Sequence, residues 1–171
     1  MIVPYKLIKK DDVRRKVSWT LKKNQVTVFK PVWVWSKPEE ELIRSRIIGF
    51  SLNLCSGFSE VGDVRLDLYV ESDVQADMAH LPFRDLSFDT VIFDPPWNLT
   101  PQNYPKFKIV VGEIERVCRR RIIARFGRCM WNFEPNFLLK ETYLVKRISP
   151  LINLITIWDR KDDGLDSYVS P

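Results

Sequence analysis

The stretch from Phe88 to Trp97 constrains the fold more than any other. Phe88-Asp-Thr-Val-Ile-Phe is an apolar run of strand length, and it stops at Asp94-Pro95-Pro96-Trp97. Proline lacks the N–H that a sheet ladder needs and forces the preceding residue towards extended geometry. Two in succession therefore end a strand and stiffen the loop behind it. A buried strand thus delivers an acid, a rigid turn and an aromatic ring to one edge of a sheet. Three upstream runs have the same form. Ile47-Ile-Gly-Phe-Ser-Leu-Asn-Leu-Cys leads into Ser56-Gly57, Asp63-Val-Arg-Leu-Asp-Leu-Tyr carries Asp67, and Val74-Gln-Ala-Asp ends at Asp77.

Farther along, Phe107, Val110, Val111, Ile114, Val117 and Cys118 recur at helical spacing. Arg121-Ile-Ile-Ala-Arg-Phe predicts a fifth strand, and residues 142–148 and 152–158 predict a hairpin around Ser149-Pro150. A helix is expected to start at Ser36, with Pro38 in its first turn and Glu39 to Glu41 behind it. Together these predict an α/β fold, a mostly parallel sheet with Phe88–Asp94 mid-sheet and a C-terminal antiparallel hairpin at its edge. The chain's 171 residues are expected to form one domain, 1–171, with a basic N-terminal extension over 1–45 and a core over 47–160.

The rarer residues exclude whole classes of chemistry. Cys55, Cys118 and Cys129 lie far apart and His80 is the sole histidine, so neither a zinc site, a disulfide framework nor a histidine triad is expected. A phosphate-cradling lysine motif is missing, which argues against a nucleotide triphosphatase. The sequence holds no apolar run near the roughly 18 residues of a membrane span. Residues 1–10 lack the apolar core of a signal peptide. A soluble, cytoplasmic protein without membrane contact is the expectation.

Charge adds a partner. Residues 1–30 carry nine lysines and arginines against Asp11 and Asp12, and Arg116, Arg119, Arg120, Arg121, Arg125 and Arg128 follow one another without an acid. Clustered positive charge concentrates polyanions, of which nucleic acid is the commonest. Lys9, Lys10, Arg14, Arg15 and Lys16 are the expected phosphate contacts.

The order of these features resembles the class I S-adenosylmethionine-dependent methyltransferases, a Rossmann-like family, over about residues 47–160. Asn53-Leu54-Cys55-Ser56-Gly57 is similar to the family's glycine-rich first loop, which passes the methionine part of the cofactor. Asp67 stands where the family places an acid for the ribose hydroxyls. Asp77-Met78, followed by Leu81-Pro82-Phe83, looks like its adenine-binding stretch. The resemblance departs in two places. Of the family's three loop glycines only Gly57 is kept, and only ten residues separate Gly57 from Asp67. The first crossover helix must therefore be missing or reduced to a turn near Gly62.

Asp94-Pro95-Pro96-Trp97 is similar to the Asp/Asn-Pro-Pro-aromatic motif of nucleic-acid amino-methyltransferases. The resemblance implies that the Asp94 carboxylate and the Pro95 carbonyl accept from an exocyclic amine while Trp97 stacks on the base. The residue types suit that chemistry. An exocyclic amine delocalises its lone pair into the ring, and two acceptors stabilise the positive charge that develops on methyl transfer. The expected function is methylation of an exocyclic amine of DNA or RNA, adenine N6 before others, with S-adenosyl-L-methionine as cofactor. Guanine N2 or cytosine N4 in structural RNA, or a protein amide, are alternative substrates. A non-catalytic subunit that binds nucleic acid is the rival of a different class. Specificity is expected from residues 1–45, short loops, a second copy of the chain or a specificity subunit.

Overall fold

The computed structural model describes residues 35–96, 106–126, 131–146 and 152–161. Helix α1 (Lys37–Arg46) precedes strands β1 (Ser51–Leu54), β2 (Val64–Asp67), β3 (Val74–Gln75) and β4 (Phe88–Phe93). Helix α2 (Phe107–Val117) leads into β5 (Cys118–Phe126), and β6 (Phe137–Lys146) and β7 (Ile152–Arg160) follow. The seven strands form one sheet in the order β3-β2-β1-β4-β5-β7-β6. β7 pairs antiparallel with both β5 and β6, and every other pairing is parallel.

The expected mid-sheet position of β4 holds, as does the C-terminal hairpin. Its second strand inserts between β5 and the first, so β6 is the edge and runs with the parallel set. The Ser149-Pro150 turn lies outside the described residues. Three strand starts move. β6 begins at Phe137 rather than Thr142. β1 begins at Ser51 rather than Ile47, because Gly49 turns the chain with φ +57°. A Cβ there would fall 2.3 Å from Asp89 Oδ2, so only glycine fits. β5 begins at Cys118, where the helical spacing had placed a helix residue.

The crossovers are reduced further than the sequence predicted. None of residues 55–87 is helical, so β1, β2, β3 and β4 are joined by loops alone. The registers Leu52↔Val64 and Leu54↔Leu66 require the 55–63 loop to return along about three residues of strand. Its reach of roughly 30 Å makes that feasible without a helix. α2 stands in for the lost cover between β3 and β4. Arg116 donates to the carbonyls of Leu81 (3.1 Å) and Phe83 (2.7 Å), while Glu113 accepts from the Leu81 amide at 2.8 Å.

Among the described residues, each face of the sheet carries one helix. Leu52, Leu54, Val91, Phe93, Ile122 and Ala124 pack with Val110, Ile114 and Val117 of α2. Ile92, Ile123, Ile155 and Ile157 pack with Trp35 and with Ile43 of α1. α1 falls within the sequence-expected N-terminal extension, yet Ile43 is fully buried in that second core. The strand alternation puts Arg125 on the α1 face beside Ile123, and Asp94 follows Ile92 onto the same side.

Candidate active site

The loop after β1 is the hub of the site. Cys55 has φ 61° and Gly57 φ 54°, so the backbone turns twice through the left-handed region. Cys55 occupies the first glycine position of the resembled motif and adopts the conformation a glycine would, at a cost of roughly 1–2 kcal/mol. The Ser56 amide donates to the Leu66 carbonyl (3.1 Å), and the Asp94 amide reaches the Leu54 carbonyl at 3.4 Å. The Gly57 amide donates to Asp67 Oδ2 at 3.0 Å. The loop therefore touches the end of β2 and the end of β4 at once.

Asp67 and Asp77 meet the loop differently. Asp67 Oδ1 accepts from the amides of Tyr69 (2.8 Å) and Val70 (3.0 Å), so its acceptor capacity is largely spent on backbone. One lone pair on Oδ2 is left for a ligand hydroxyl, fewer than the bidentate ribose contact that the resemblance implies. Asp77 Oδ1 accepts from the Ala79 amide (2.9 Å), and Oδ2 pairs with Lys106 Nζ at 2.9 Å. Burial opposes its ionisation. The Ala79 amide and the Lys106 ammonium outweigh that and hold its carboxyl below the usual range. Met78 packs its sulfur 3.5 Å from Cys55 Sγ. Burial pushes the Cys55 thiol up, and the charges of Asp67, Asp94 and Asp77 push it further. All three carboxylates thus act on one thiol, which stays protonated and is no nucleophile.

The fit to a polar ligand rests on two buried atoms at this loop, Ser56 Oγ and Asn53 Oδ1, that lack a partner among the described residues. Ser56 is buried, and its Oγ has no hydrogen-bond partner. A buried hydroxyl without a partner is costly, and a ligand against the loop would satisfy it. Asn53 is fully buried and holds the Val61 carbonyl through Nδ2 at 3.0 Å, so its role is to close the 55–63 loop. Among the described residues no group of His, Cys, Asp and Glu is placed to hold a metal ion.

Asp94 sits at the end of β4 in a buried ionic chain. Arg125 Nη1 donates to Oδ1 (3.0 Å) and more distantly to Oδ2 (3.2 Å), and Trp35 Nε1 donates to Oδ2 at 2.7 Å. Arg125 Nε donates to Glu39 Oε1 at 2.9 Å. Asn153 Nδ2 donates to the same Glu39 oxygen at 2.6 Å, and the Ser36 amide (2.9 Å) and hydroxyl (2.6 Å) donate to Oε2. Burial raises the Asp94 carboxyl above its ordinary value, Glu39 adds to the rise, and Arg125 and Trp35 oppose it. Glu39 is driven the other way. Burial would raise it, but the Ser36 hydrogen bonds and then Arg125 bring it down to about 2. Oδ1 of Asp94 has one protein donor among the described residues, which leaves it able to accept one more N–H.

The sequence missed Glu39, Arg125, Asn153 and Lys106 as members of this region. A legible signal existed for one of them, since Arg125 is a charge inside Ile-Ile-Ala-Arg-Phe and a charge in a buried strand must be paired. Pro95 is buried and Pro96 exposed beside Asp94. Trp97 lies outside the described residues, as do Lys9, Lys10, Arg14, Arg15 and Lys16. Four arginines of the basic run are held by carboxylates of the fold, Arg120 is exposed, and Arg128 lies outside the described residues. Arg116 binds Glu113 and Asp85, Arg119 binds Asp89, Arg121 binds Asp159 and Arg125 binds Glu39 and Asp94.

The strand order, with β7 alone reversed, defines the Rossmann-like class I methyltransferase fold. Solved structures share it. The 1,6-didemethyltoxoflavin-N1-methyltransferase of Burkholderia thailandensis, determined with 1,6-didemethyltoxoflavin and S-adenosylhomocysteine, is similar with TM-score 0.54 and 14% identity, covering 74% of this chain and 78% of its own. The PH0226 protein of Pyrococcus horikoshii gives TM-score 0.51 and 17% identity, over 71% of this chain and 87% of that one. TrmN of Thermus thermophilus gives 0.52 and 13% over 72% of this chain, which spans only 48% of TrmN. No family model matches the chain, and no curated protein matches it.

Proposed function

We propose that this chain is an S-adenosylmethionine-dependent transferase that methylates an exocyclic amine of nucleic acid, adenine N6 first. The observation that carries the reading is Asp94, fixed at the end of the central strand beside the loop after β1, with acceptor capacity left on Oδ1. The loop 53–57, Asp67 and Asp77-Met78 would hold the cofactor, with the Ser56 hydroxyl gaining its missing partner. When bound, the cofactor supplies an electrophilic methyl group on a sulfonium. Asp94 Oδ1 and the Pro95 carbonyl would accept from the target amine and orient its lone pair. As the nitrogen gains positive charge, the carboxylate stabilises it, and Asp94 is placed to accept the proton that leaves. Trp97 would stack on the base, worth about 1–3 kcal/mol. Lys9, Lys10, Arg14, Arg15 and Lys16 would grip phosphates.

A second reading has its own support. The hold of Arg125 and Trp35 on Asp94, and the single loop glycine, suit a non-catalytic subunit that keeps the fold and binds nucleic acid. A tritiated-methyl transfer assay on DNA, RNA and protein, followed by nucleoside mass spectrometry, tests the two. N6-methyladenine that falls about 10²–10³-fold in turnover with Asp94→Asn, at an unchanged melting temperature, supports the transferase. Guanine N2, cytosine N4 or a protein amide as product redirects the substrate. Absent transfer, together with a calorimetric titration showing no cofactor binding, selects the subunit. Nucleic-acid affinity that falls steeply with salt, and less steeply after deletion of residues 1–18, supports the phosphate contacts.

A further inference from the structure

The chain Glu39–Arg125–Asp94 has a feature that a simple ion pair would not have. Two carboxylates share one guanidinium. Arg125 is 4% exposed, Glu39 0% and Asp94 18%, so water screens the Glu39–Arg125 pair weakly and reaches the set only at Asp94. Glu39 is ionised throughout the neutral range, because Ser36 and Asn153 solvate it as well as Arg125 does. With Asp94 ionised, the set carries a net charge of −1. Without Glu39, Arg125 and Asp94 would cancel.

We propose that Glu39 and Arg125 are positioning residues for Asp94, in which Arg125 fixes the carboxylate and Glu39 keeps the pair from being neutral towards the substrate amine. This rests on the transferase reading above. An amine that becomes cationic during transfer gains from a net negative floor, while a neutral floor would leave it only the dipoles of the loop. Arginine is required because its fork reaches two carboxylates at once, Nε to Glu39 and Nη1 to Asp94. The charged and titratable groups that bear on Asp94 are Arg125 from β5, Glu39 from α1 and Cys55 from the loop after β1. Of the two acids, only Glu39 is bridged to Asp94 by Arg125.

The coupling can be read from two sides. A proton on Asp94 and a cation on the substrate nitrogen both feel the Glu39 charge, so both respond to its removal. Glu39→Gln keeps the shape and, with its carbonyl towards Arg125 and Asn153, the two bonds to Oε1, while its amide NH2 faces Ser36. It is expected to move the acid limb of the kcat profile to lower pH by about one unit and to lower the kcat plateau by about tenfold, with KM unchanged. Arg125→Lys keeps a charge but loses the fork, and should move the limb to higher pH. It also provides an independent route should Glu39→Gln not fold. Melting curves and a carbon-13 carboxyl titration of Asp94 accompany both variants. A purely structural role predicts lower melting temperatures with unmoved limbs, and that result overturns the inference. Inactivity of the parent overturns the transferase reading. The Asp94 titration needs no turnover, and an Asp94 carboxyl unmoved by Glu39→Gln overturns the coupling by itself.

Discussion

The Asp67 carboxylate accepts the Gly57 amide at 3.0 Å, so the acid that ends β2 braces the loop that ends β1. A methyltransferase fold with a full first crossover would anchor that loop through a helix. Here the Asp67 side chain, which also caps Tyr69 and Val70, shares that task with the Ser56–Leu66 backbone bond and the Asn53 amide.

Asp67→Ala is therefore expected to lower stability by about 1–3 kcal/mol even without ligand, the scale of leaving backbone donors unpaired. Thermal denaturation of the ligand-free protein checks it. An unchanged melting temperature would make Asp67 a pure ligand group.

Asp77 should behave otherwise, because Lys106 shares its half-buried carboxylate. On the proposed cofactor assignment, an adenine amine would have to compete with that ammonium for Oδ2. Asp77→Ala is expected to weaken S-adenosylmethionine binding by about 1.5–3 kcal/mol with little loss of stability. Calorimetric titration beside a melting curve separates the two effects.

Glu39 makes acid stability measurable. Its folded pKa of about 2 lies below the ordinary glutamate value of 4.5, so its ionised form stabilises the fold above about pH 4.5 and that contribution is lost as pH falls towards 2. The contribution is about 3 kcal/mol. Asp94, whose carboxyl is raised, acts in the opposite sense, favouring the fold as pH falls through its folded value. Urea melts from pH 7 to 2 should show the net loss, and Glu39→Gln should flatten it between pH 4.5 and 2.

Cys55 offers a test of backbone strain. Cys55→Gly relieves a left-handed conformation and is expected to hold or raise stability by up to about 1 kcal/mol. Cys55→Val, β-branched at the same φ, should lower it. Equal melting temperatures for the two variants would mean that the turn carries no strain.

Much of the sheet was legible because its strands are local patterns. Phe88–Phe93 announces itself by apolar residues and the prolines after it, and the loop 53–57 by its small residues. The ionic chain was not legible, because its partners are brought together only by the fold. Glu39 reads as a first-turn acid in a helix, and it does receive the Ser36 amide as such. Nothing near it in the sequence announces Arg125. The arginines from 116 to 125 invited a nucleic-acid reading for the same reason, since the carboxylates of Asp85, Asp89 and Asp159 that hold them lie about 30 or more residues away.

The loops that replace the crossovers give the molecule an order of assembly. β1, β2 and β3 are neighbours in sequence, and short connections close at little entropic cost. α1 is held by partners 86 and 114 residues away, Arg125 and Asn153, which are in place only after β5 and β7 have paired. Pulse-labelled hydrogen exchange should accordingly find α1 protected last. The half of the sheet that carries the loop after β1 would then be preformed while Asp94 still lacks its clamp, and the transferase proposed above would become reactive only in chains that have finished folding.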